Sequence, residues 1–255
     1  MFRPRVIPVL LLKDLGLVKT IKFMNPQYIG DPINAVKIFN DLKVDEIVFL
    51  DITATQQKRH IQLDFIRKVS DEANMPFAIG GGIKTIKEIR NILENGAEKV
   101  ILNTTSVENP RFIKEAADVF GSSTIVACMD VKKNIFGKYQ LVYKNAKKKA
   151  KDDPIEFAQK IEKYGVGEII VQSVNRDGTY SGYDIEIIKN ISKSIKIPVV
   201  ALGGAGKKSD FKIAVENGYA SAVAAGSMFV YQGPRKAVLI NYPTKDELEN
   251  IFERY

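Results

Sequence analysis

The sequence is poor in the residues that form disulfides and transition-metal sites. Its 255 residues include one cysteine, Cys128, inside an apolar run, and one histidine, His60. These counts exclude an intrachain disulfide framework, leave no Cys/His spacing for zinc, and give no basis for a Ser–His triad. We therefore expect no metal, no cofactor and a location in the reducing cytoplasm. His60 follows Lys58 and Arg59 and is expected at a solvated helix start.

Long hydrophobic runs are also missing. No window approaches the ~20 apolar residues that a membrane-spanning helix requires. Within Met1–Leu12, Arg3 and Arg5 precede an apolar run, as in a signal peptide. However, Lys13 and Asp14 follow where a cleavage site needs small residues. We expect this segment to be the first buried strand, and we expect no membrane partner.

Arginine is sparse, although 38 Lys and Arg against 30 Asp and Glu give a net charge of +8. Much of the excess lies between residues 132 and 151, where Lys147, Lys148, Lys149 and Lys151 cluster. Nucleic-acid binding is one interpretation of such a cluster. Lysines occur along the whole chain, however, and no aromatic-rich nucleic-acid motif accompanies them. We expect a solvated loop that attracts anionic substrates, and no nucleic-acid partner.

Eight short apolar runs rich in β-branched residues alternate with amphipathic segments. They lie at Arg5–Leu12, Glu46–Leu50, Phe77–Ile79, Lys99–Leu102, Thr124–Met129, Glu168–Gln172, Pro198–Leu202 and Ser221–Ala225. Such alternation is typical of parallel strands joined by helices. The length is close to the ~250 residues of one α/β barrel. We predict a single (β/α)8 TIM barrel that forms one domain over residues 1–255.

Capping residues mark several helix starts. Asp31, Asn109 and Asp153 each precede a proline, which suits the first helical position. Thr85–Glu88 and Thr244–Glu247 have the spacing of capping boxes. We expect a helix to begin at each of these five places.

The sequence repeats itself at about half its length. Ala78–Lys84 resembles Ala201–Lys207, which lies 123 residues further along. Ile7–Lys13 aligns with Val126–Lys132 at an offset of 119. This repetition predicts two similar four-strand halves and a closed barrel rather than an open sheet. Residues 131–151 interrupt the rhythm, and we expect a hairpin-like insertion there, on the catalytic face after the fifth strand.

Glycine-rich turns follow the third and seventh predicted strands, and small polar turns follow the fourth and eighth. Glycine lets backbone N–H groups approach an anion, and a helix N-terminus favours negative charge. We predict two phosphate sites and a long substrate with a phosphate at each end; alternatively, the glycines only form tight turns. The candidate phosphate-binding residues are Gly81, Gly82, Asn103, Thr104, Gly178, Gly203, Gly204, Ala225, Gly226 and Ser227.

Three acids lie at or just after predicted strand ends. Asp51 follows the second strand, Asp130 the fifth, and Asp177 lies in the turn after the sixth. A carboxylate in such a place can act as a general acid or base when its pKa is tuned by its surroundings. The alternatives are that Asp177 only forms a turn and that Arg176 simply pairs with Asp51.

Five segments together carry a family resemblance: Phe49–Ala54, Gly80–Ile83, Asn103–Thr104, Asn175–Asp184 and Gly203–Lys207. They resemble the cyclase subunit of imidazole glycerol phosphate synthase, over nearly the whole chain. The resemblance implies a HisH-like glutaminase partner at the N-terminal face, which releases ammonia into the barrel axis. It further implies a phosphorylated ribulosyl ligand at the other end. Cyclisation and lyase cleavage then give imidazole glycerol phosphate, a step of histidine biosynthesis.

The resemblance also implies an ammonia gate at Arg5, Glu46, Lys99 and Glu168. The family closes its barrel floor with a ring of alternating charges, and these four residues match that ring. Buried charges need partners, which a four-residue ring provides. The alternative is ordinary surface charge at strand starts. Lys19 matches the family as well and joins Asp51, Asp130 and Asp177 as a catalytic candidate.

The catalytic aspartate pair of this family is incomplete in the chain. Asp130 matches the aspartate of the fifth strand, but Leu11 stands where the first strand carries the other. The internal repeat agrees, because it aligns Lys13 with Lys132. Acid–base help is typically worth about 10²- to 10⁴-fold, so cyclisation should be crippled. Asp14 is one substitute, although it would project in a different direction.

Three further segments, Leu10–Phe23, Tyr28–Val36 and Gly233–Pro243, resemble the WbuZ-like paralogues associated with sugar amidation. Those paralogues work with a glutaminase and an ATP-dependent sugar amidotransferase to make acetamidino sugars of surface polysaccharide or flagellin. The chain would then conduct ammonia. The alternatives are an authentic histidine-pathway cyclase with a relocated acid, a phosphate-binding scaffold without catalysis, and a phosphosugar isomerase, which would also need an acid on the first strand.

Overall fold

The structure is a computed structural model that describes residues 3–253. The strands are β1 (Arg5–Lys13), β2 (Gly16–Ile21), β3 (Met24–Gly30), β4 (Ile47–Asp51), β5 (Phe77–Gly80), β6 (Lys99–Leu102), β7 (Ile125–Lys133), β8 (Tyr139–Tyr143), β9 (Lys148–Lys149), β10 (Glu168–Ser173), β11 (Val199–Leu202), β12 (Ala222–Ala225), β13 (Tyr231–Gln232) and β14 (Ala237–Val238). The helices are α1 (Pro32–Asp41), α2 (Leu63–Glu72), α3 (Ile86–Glu94), α4 (Thr104–Glu108), α5 (Arg111–Phe120), α6 (Pro154–Lys163), α7 (Ile185–Ser194), α8 (Lys208–Glu216), α9 (Ser227–Val230) and α10 (Lys245–Phe252), with a 3-10 turn at Ser122–Thr124.

Eight of the strands close into a barrel. Their order is β1, β4, β5, β6, β7, β10, β11 and β12, and β12 pairs with β1 to complete the circle. Every pairing around the circle is parallel. Helices connect successive barrel strands, as parallel pairing requires. The prediction of a (β/α)8 barrel is confirmed.

The apolar core has two layers because alternate residues of each strand face opposite sides. On β1, Val6 and Leu10 pack outward against the helices, whereas Ile7 and Val9 belong to a separate cluster inside the barrel. The inner cluster comprises Ile7, Val9, Val48, Ala78, Ile101, Val126, Cys128, Ile170, Val200, Leu202, Ala222 and Ala224. The barrel axis is therefore lined by apolar side chains.

Two barrel strands continue beyond the rim into antiparallel hairpins. β1 pairs with β2, which pairs with β3. β7 pairs with β8, which pairs with β9. The strands β8 and β9 lie within residues 131–151. These extensions make β1 and β7 longer than the predicted runs. The hairpin after β1 was not predicted at all.

The missed hairpin has turns without the usual sequence signal. Asp14 and Leu15 connect β1 to β2 with φ of 50° and 66°, and Lys22 and Phe23 connect β2 to β3 with 52° and 64°. Two-residue hairpin turns with positive φ normally carry Asn or Gly. The turn between β2 and β3 is held from outside the hairpin, because the amides of Lys22 and Phe23 donate to the backbone carbonyl and the carboxyl group of Asp177.

Four of the five predicted helix starts are confirmed. The side chains of Asp31 and Asp153 cap α1 and α6, and capping boxes form at the starts of α3 and α10. The fifth differs: α5 does begin there, at Arg111, but the predicted cap by Asn109 is wrong. Asn109 ends the short helix α4, and Pro110 is the N-cap of α5, with no side-chain cap. None of the helices within residues 3–253 is both long and apolar enough to cross a bilayer.

Candidate functional site

One deep cavity opens where the barrel strands end at their carboxyl termini. It contains about 1290 Å³ of empty space, including the solvent at its mouth. Each of the eight barrel strands contributes at least one lining residue at or next to its end: Leu11, Asp51, Gly81, Asn103, Asp130, Gln172, Gly203 and Gly226. Active sites of this fold are built from these same strand ends and loops.

The cavity brings together the residues that the sequence singled out for catalysis and phosphate binding. Lys19, Asp51, Asp130 and Asp177 all line it. So do the ten phosphate candidates: Gly81, Gly82, Asn103, Thr104, Gly178, Gly203, Gly204, Ala225, Gly226 and Ser227. These residues come from the ends of seven barrel strands and from the hairpin after β1, in both halves of the chain. Their roles in binding or catalysis remain predictions.

The backbone itself requires the glycines of the two matched turns. Gly82 has a φ of 69°, and a Cβ there would lie 1.9 Å from the carbonyl oxygen of Arg59. Gly204 has a φ of 107°, and its Cβ would lie 2.2 Å from the carbonyl oxygen of Gly182. Both positions exclude any side chain on steric grounds. The tight-turn interpretation thus accounts for the glycines whether or not they also bind phosphate.

Asp130 is the acid whose environment best suits proton transfer. Only 6% of its surface is exposed. Burial raises the pKa of its carboxyl to about 7, and the neighbouring charge of Asp177 acts in the same direction. A group with this pKa exists in both protonation states near neutral pH. Cys128 lies below it on the same strand, and burial raises the pKa of its thiol, so it remains an apolar lining residue.

Lys19 is held deep in the cavity by the hairpin that the sequence did not predict. Its Nζ donates a hydrogen bond of 2.6 Å to the backbone carbonyl of Val9. Burial lowers the pKa of its amine to about 8. A Cβ at Gly226 would lie 2.5 Å from this Nζ, so glycine there makes room for the ammonium. Lys19 can therefore donate protons or bind an anion inside the cavity.

Asp177 joins two elements of the site. Its carboxylate accepts hydrogen bonds from the Thr20 hydroxyl at 3.1 Å, the Phe23 amide at 3.4 Å and Gln172 Nε2 at 3.3 Å. Burial raises the pKa of this carboxyl. With its acceptor oxygens engaged, Asp177 ties the first hairpin to the loop after β10.

Asp51 is similarly engaged, but not with the partner considered from sequence. Its Oδ1 accepts hydrogen bonds from the Thr53 amide, the Thr53 hydroxyl and the Ala54 amide, at 3.0, 2.9 and 3.1 Å. Its Oδ2 pairs with Arg59 at 2.5 Å. The proposed pairing with Arg176 is wrong, since Arg176 donates to backbone carbonyls of its own loop. Asp51 thus organises the turn after β4.

The floor of the barrel carries a closed ring of four charges. Arg5 forms ion pairs with Glu46 and Glu168. Lys99 Nζ lies 3.1 Å from Glu46 and 3.2 Å from Glu168. Both glutamates are buried. Each charge is thus flanked by two of the opposite sign, which compensates for the loss of water around them.

The position of Leu11 matches that of Asp130 in the other half. Leu11 on β1 lies opposite Val18 of the first hairpin, and Asp130 on β7 lies opposite Val142 of the second. Leu11 lines the cavity and cannot exchange a proton. Asp14 does not replace it, because it lies exposed in the hairpin turn and outside the cavity lining.

Among the lining residues that sequence reasoning missed, two carry side-chain amides. Gln172 ends the inward face of β10, two and four residues after Ile170 and Glu168, so strand alternation could have found it. Asn145, from the lysine-rich segment, donates a hydrogen bond of 3.0 Å to the carbonyl of Ile52 across the mouth. No local pattern signals that contact.

Comparison with known proteins assigns the family. The family model described as "Histidine biosynthesis protein" matches residues 5–234. A Pseudomonas aeruginosa protein named "Putative imidazole glycerol phosphate synthase subunit hisF2" is 44% identical over 98% of this chain and 99% of its own length. The imidazole glycerol phosphate synthase subunit HisF of Pyrococcus furiosus is 44% identical over 91% of each chain, and that of Alkaliphilus metalliredigens is 42% identical over 91% of this chain and 92% of its own. The chain therefore belongs to the histidine biosynthesis protein family and, within it, to the HisF family of imidazole glycerol phosphate synthase subunits.

Proposed function

We propose that this chain receives ammonia from a glutaminase subunit bound at the N-terminal face of the barrel and conducts it to the cavity at the opposite end. The observation that carries the proposal is the closed ring of Arg5, Glu46, Lys99 and Glu168 beneath an apolar barrel interior. A ring of paired charges blocks free passage of ions, whereas neutral ammonia tolerates the apolar lining above it.

Lys99 is the member of the ring best suited to open it. Its side chain is 22% exposed and is held by two ion pairs longer than 3 Å. Lysine is a flexible point charge, whereas the planar guanidinium of Arg5 can bind two carboxylates at once. Rotation of Lys99 would open one side of the ring while Arg5 keeps both glutamates paired.

We further propose that the ammonia serves sugar amidation rather than cyclisation within the barrel. Leu11 supports this acceptor, because Asp130 then lacks the second strand-end aspartate that the family's cyclisation uses. A separate ATP-dependent sugar amidotransferase would take the ammonia and form an acetamidino group on a sugar of surface polysaccharide or flagellin. The WbuZ-like segments of the sequence are consistent with this branch.

Histidine-pathway cyclisation is the second candidate function. Asp130, with its pKa near 7, and the two sets of phosphate-type turns support a cavity that still binds a phosphorylated ribulosyl substrate. Turnover of that substrate by the purified chain with excess ammonium at alkaline pH decides between the candidates, because free ammonia bypasses the partner. We expect binding without turnover. Robust turnover would assign the chain to the histidine pathway and would exclude the amidation branch.

The conduit is tested by Lys99→Ala in the assembly of HisH-type glutaminase, this chain and a sugar amidotransferase. We expect glutamine hydrolysis to continue while the amidated sugar formed per glutamine falls at least about fivefold, because ammonia escapes through the open ring. The control is Lys114→Ala, which breaks a surface ion pair with Asp118 on α5. Equal coupling in wild type and Lys99→Ala would contradict the gate.

A further inference from the structure

Gln172 has a buried oxygen that no described residue satisfies. The residue is 5% exposed, and its Nε2 donates to Asp177 Oδ1 at 3.3 Å. Its Oε1 accepts no hydrogen bond from any residue in the described range 3–253. The carboxyl group of Asp177 accepts from Thr20, Phe23 and Gln172, so the amide turns its NH2 group to Asp177 and its oxygen away. A buried acceptor without a donor is unfavourable, and a bound molecule with a donor would satisfy it.

The place of Gln172 on its strand connects it to the barrel floor. Glu168, Ile170 and Gln172 occupy alternate positions of β10 and face the barrel interior. Glu168 belongs to the charged ring and Ile170 to the apolar cluster. At ~3.3 Å per residue, Gln172 lies roughly 13 Å along the strand from Glu168. It is the first polar side chain on this strand that a molecule meets after crossing the apolar layer.

The rim around Gln172 is divided into two sides. Asn103, Asp130 and Gln172 lie on the consecutive strands β6, β7 and β10 and present amide or carboxylate groups. The opposite strands β1 and β4 present Leu11 and Leu50. In register, Gln172 is the direct neighbour of Asp130. One side of the rim thus offers hydrogen-bonding groups, and Leu11 and Leu50 offer apolar surface on the other. The Asp51 carboxylate on that other side is already engaged by Thr53, Ala54 and Arg59.

This arrangement selects the chemistry of the bound molecule. Lys19 is the one cationic group among the described residues that line the cavity, and its Nζ is already bound to the carbonyl of Val9. A phosphate placed against Gln172 and Asp130 would face two acceptors and be repelled. A small molecule rich in N–H donors fits them, and ammonia has three such donors and one lone pair.

We propose that Gln172 Oε1 and the Asp130 carboxylate bind the ammonia that leaves the apolar interior. Each accepts one N–H, which leaves the third N–H and the nitrogen lone pair facing the open cavity. This proposal rests on the proposed conduit function and assigns its receiving end. Gln172 is a residue that binds the transferred molecule, and it lies outside the gate and the phosphate-type turns.

The test is titration of the full, ¹⁵N-labelled chain with ammonium at a fixed alkaline pH. NMR spectra record the chemical shifts of the side-chain amides of Gln172 and Asn103 at each ammonium concentration. Asn103 serves as the second reporter because its Nδ2 is held by the carbonyl of Cys128 at 2.9 Å. Ammonium chloride is compared with sodium chloride at equal ionic strength. We expect both signals to shift saturably with ammonium chloride alone.

The variants locate the binding. Gln172→Leu should raise the ammonium concentration for half-maximal shift of the Asn103 signal at least about fivefold, while Gln159→Leu on the exposed face of α6 leaves it unchanged. An identical response to sodium chloride, no saturable response, or an unchanged midpoint in Gln172→Leu would each overturn the proposal. The measurement needs neither partner nor turnover, so its outcome is independent of the Lys99→Ala coupling test.

Discussion

The two halves of the barrel share a scaffold but differ in chemistry. In each half the first strand runs past the rim into a hairpin, and a glycine turn follows the third strand. The strand end that carries Asp130 in the second half carries Leu11 in the first. The hairpins and the glycine turns occur in both halves, whereas an acid at this strand position occurs in the second half alone.

The difference has a physical reason. Replacing Gly82 or Gly204 would force a side chain into backbone atoms, so folding alone preserves these residues. Nothing in the fold requires an acid at the end of β1 or β7, because burial there disfavours the charged form. The symmetry of the scaffold therefore gives little information about whether the chain catalyses cyclisation. The residue that differs between the halves, Leu11 against Asp130, is more informative.

The comparison predicts its largest effect at one glycine in each of the two matched turns. Gly82→Ala and Gly204→Ala should each lower the free energy of unfolding by on the order of 3–5 kcal/mol, because each Cβ meets a backbone carbonyl and the φ angle is positive. Gly137→Ala, with a φ of 77° and no atom within 4 Å of the added Cβ, should cost about 1 kcal/mol. Urea unfolding measures all three. Tolerance at Gly204 alone would show that the turn after β11 can move away from an added Cβ, whereas the turn after β5 cannot.

The second prediction concerns the unmatched acid. The folded state raises the pKa of Asp130 from 3.8 to about 7. The native state therefore binds this proton more tightly than the unfolded chain, and stability falls as pH rises between these values. Asp130→Asn removes the free-energy cost of ionising this buried carboxyl. The variant's free energy of unfolding should therefore exceed that of wild type by little near pH 4 and by up to roughly 4 kcal/mol above pH 7.

Urea unfolding of wild type and Asp130→Asn at pH 5 and pH 8 checks this dependence. The exposed Asp41→Asn serves as the control and should show no comparable change between the two pH values. A constant difference between Asp130→Asn and wild type at both pH values would mean that Asp130 stays ionised in the folded state.

The smallest effect is expected at the hairpins. The hydroxyl of Tyr139 on β8 lies 2.7 Å from a carboxylate oxygen of Asp184 and 3.0 Å from one of Glu186. Its single proton is donated to one of them, which fastens the second hairpin to the start of α7. Tyr139→Phe should destabilise this hairpin by about 1 kcal/mol and speed amide exchange in β8. The exposed Tyr28→Phe on β3 should leave the first hairpin unchanged. Equal exchange rates in wild type and Tyr139→Phe would show that other contacts hold β8.

Much of the scaffold could be predicted from sequence because its signals are local. Alternating apolar runs located all eight barrel strands, and the run Lys99–Leu102 has the bounds observed for β6. The capping boxes that begin α3 and α10 depend on residues three positions apart. The capping prediction failed at Asn109 because this residue ends the short helix α4 instead of capping α5. A local pattern for a helix start does not show that another helix ends at the same residue.

By itself the sequence determined the barrel, its repeat and the set of residues at the strand ends, because these follow from periodicity and from the direction of parallel strands. Only the tertiary structure decided that Asp51 pairs with Arg59 and that the first hairpin places Lys19 against Gly226. It also decided that Gln172 Oε1 accepts no hydrogen bond from residues 3–253. Each of these depends on which groups from distant strands meet in a buried space, and hydrogen-bond partners at such distances leave no pattern in the local sequence.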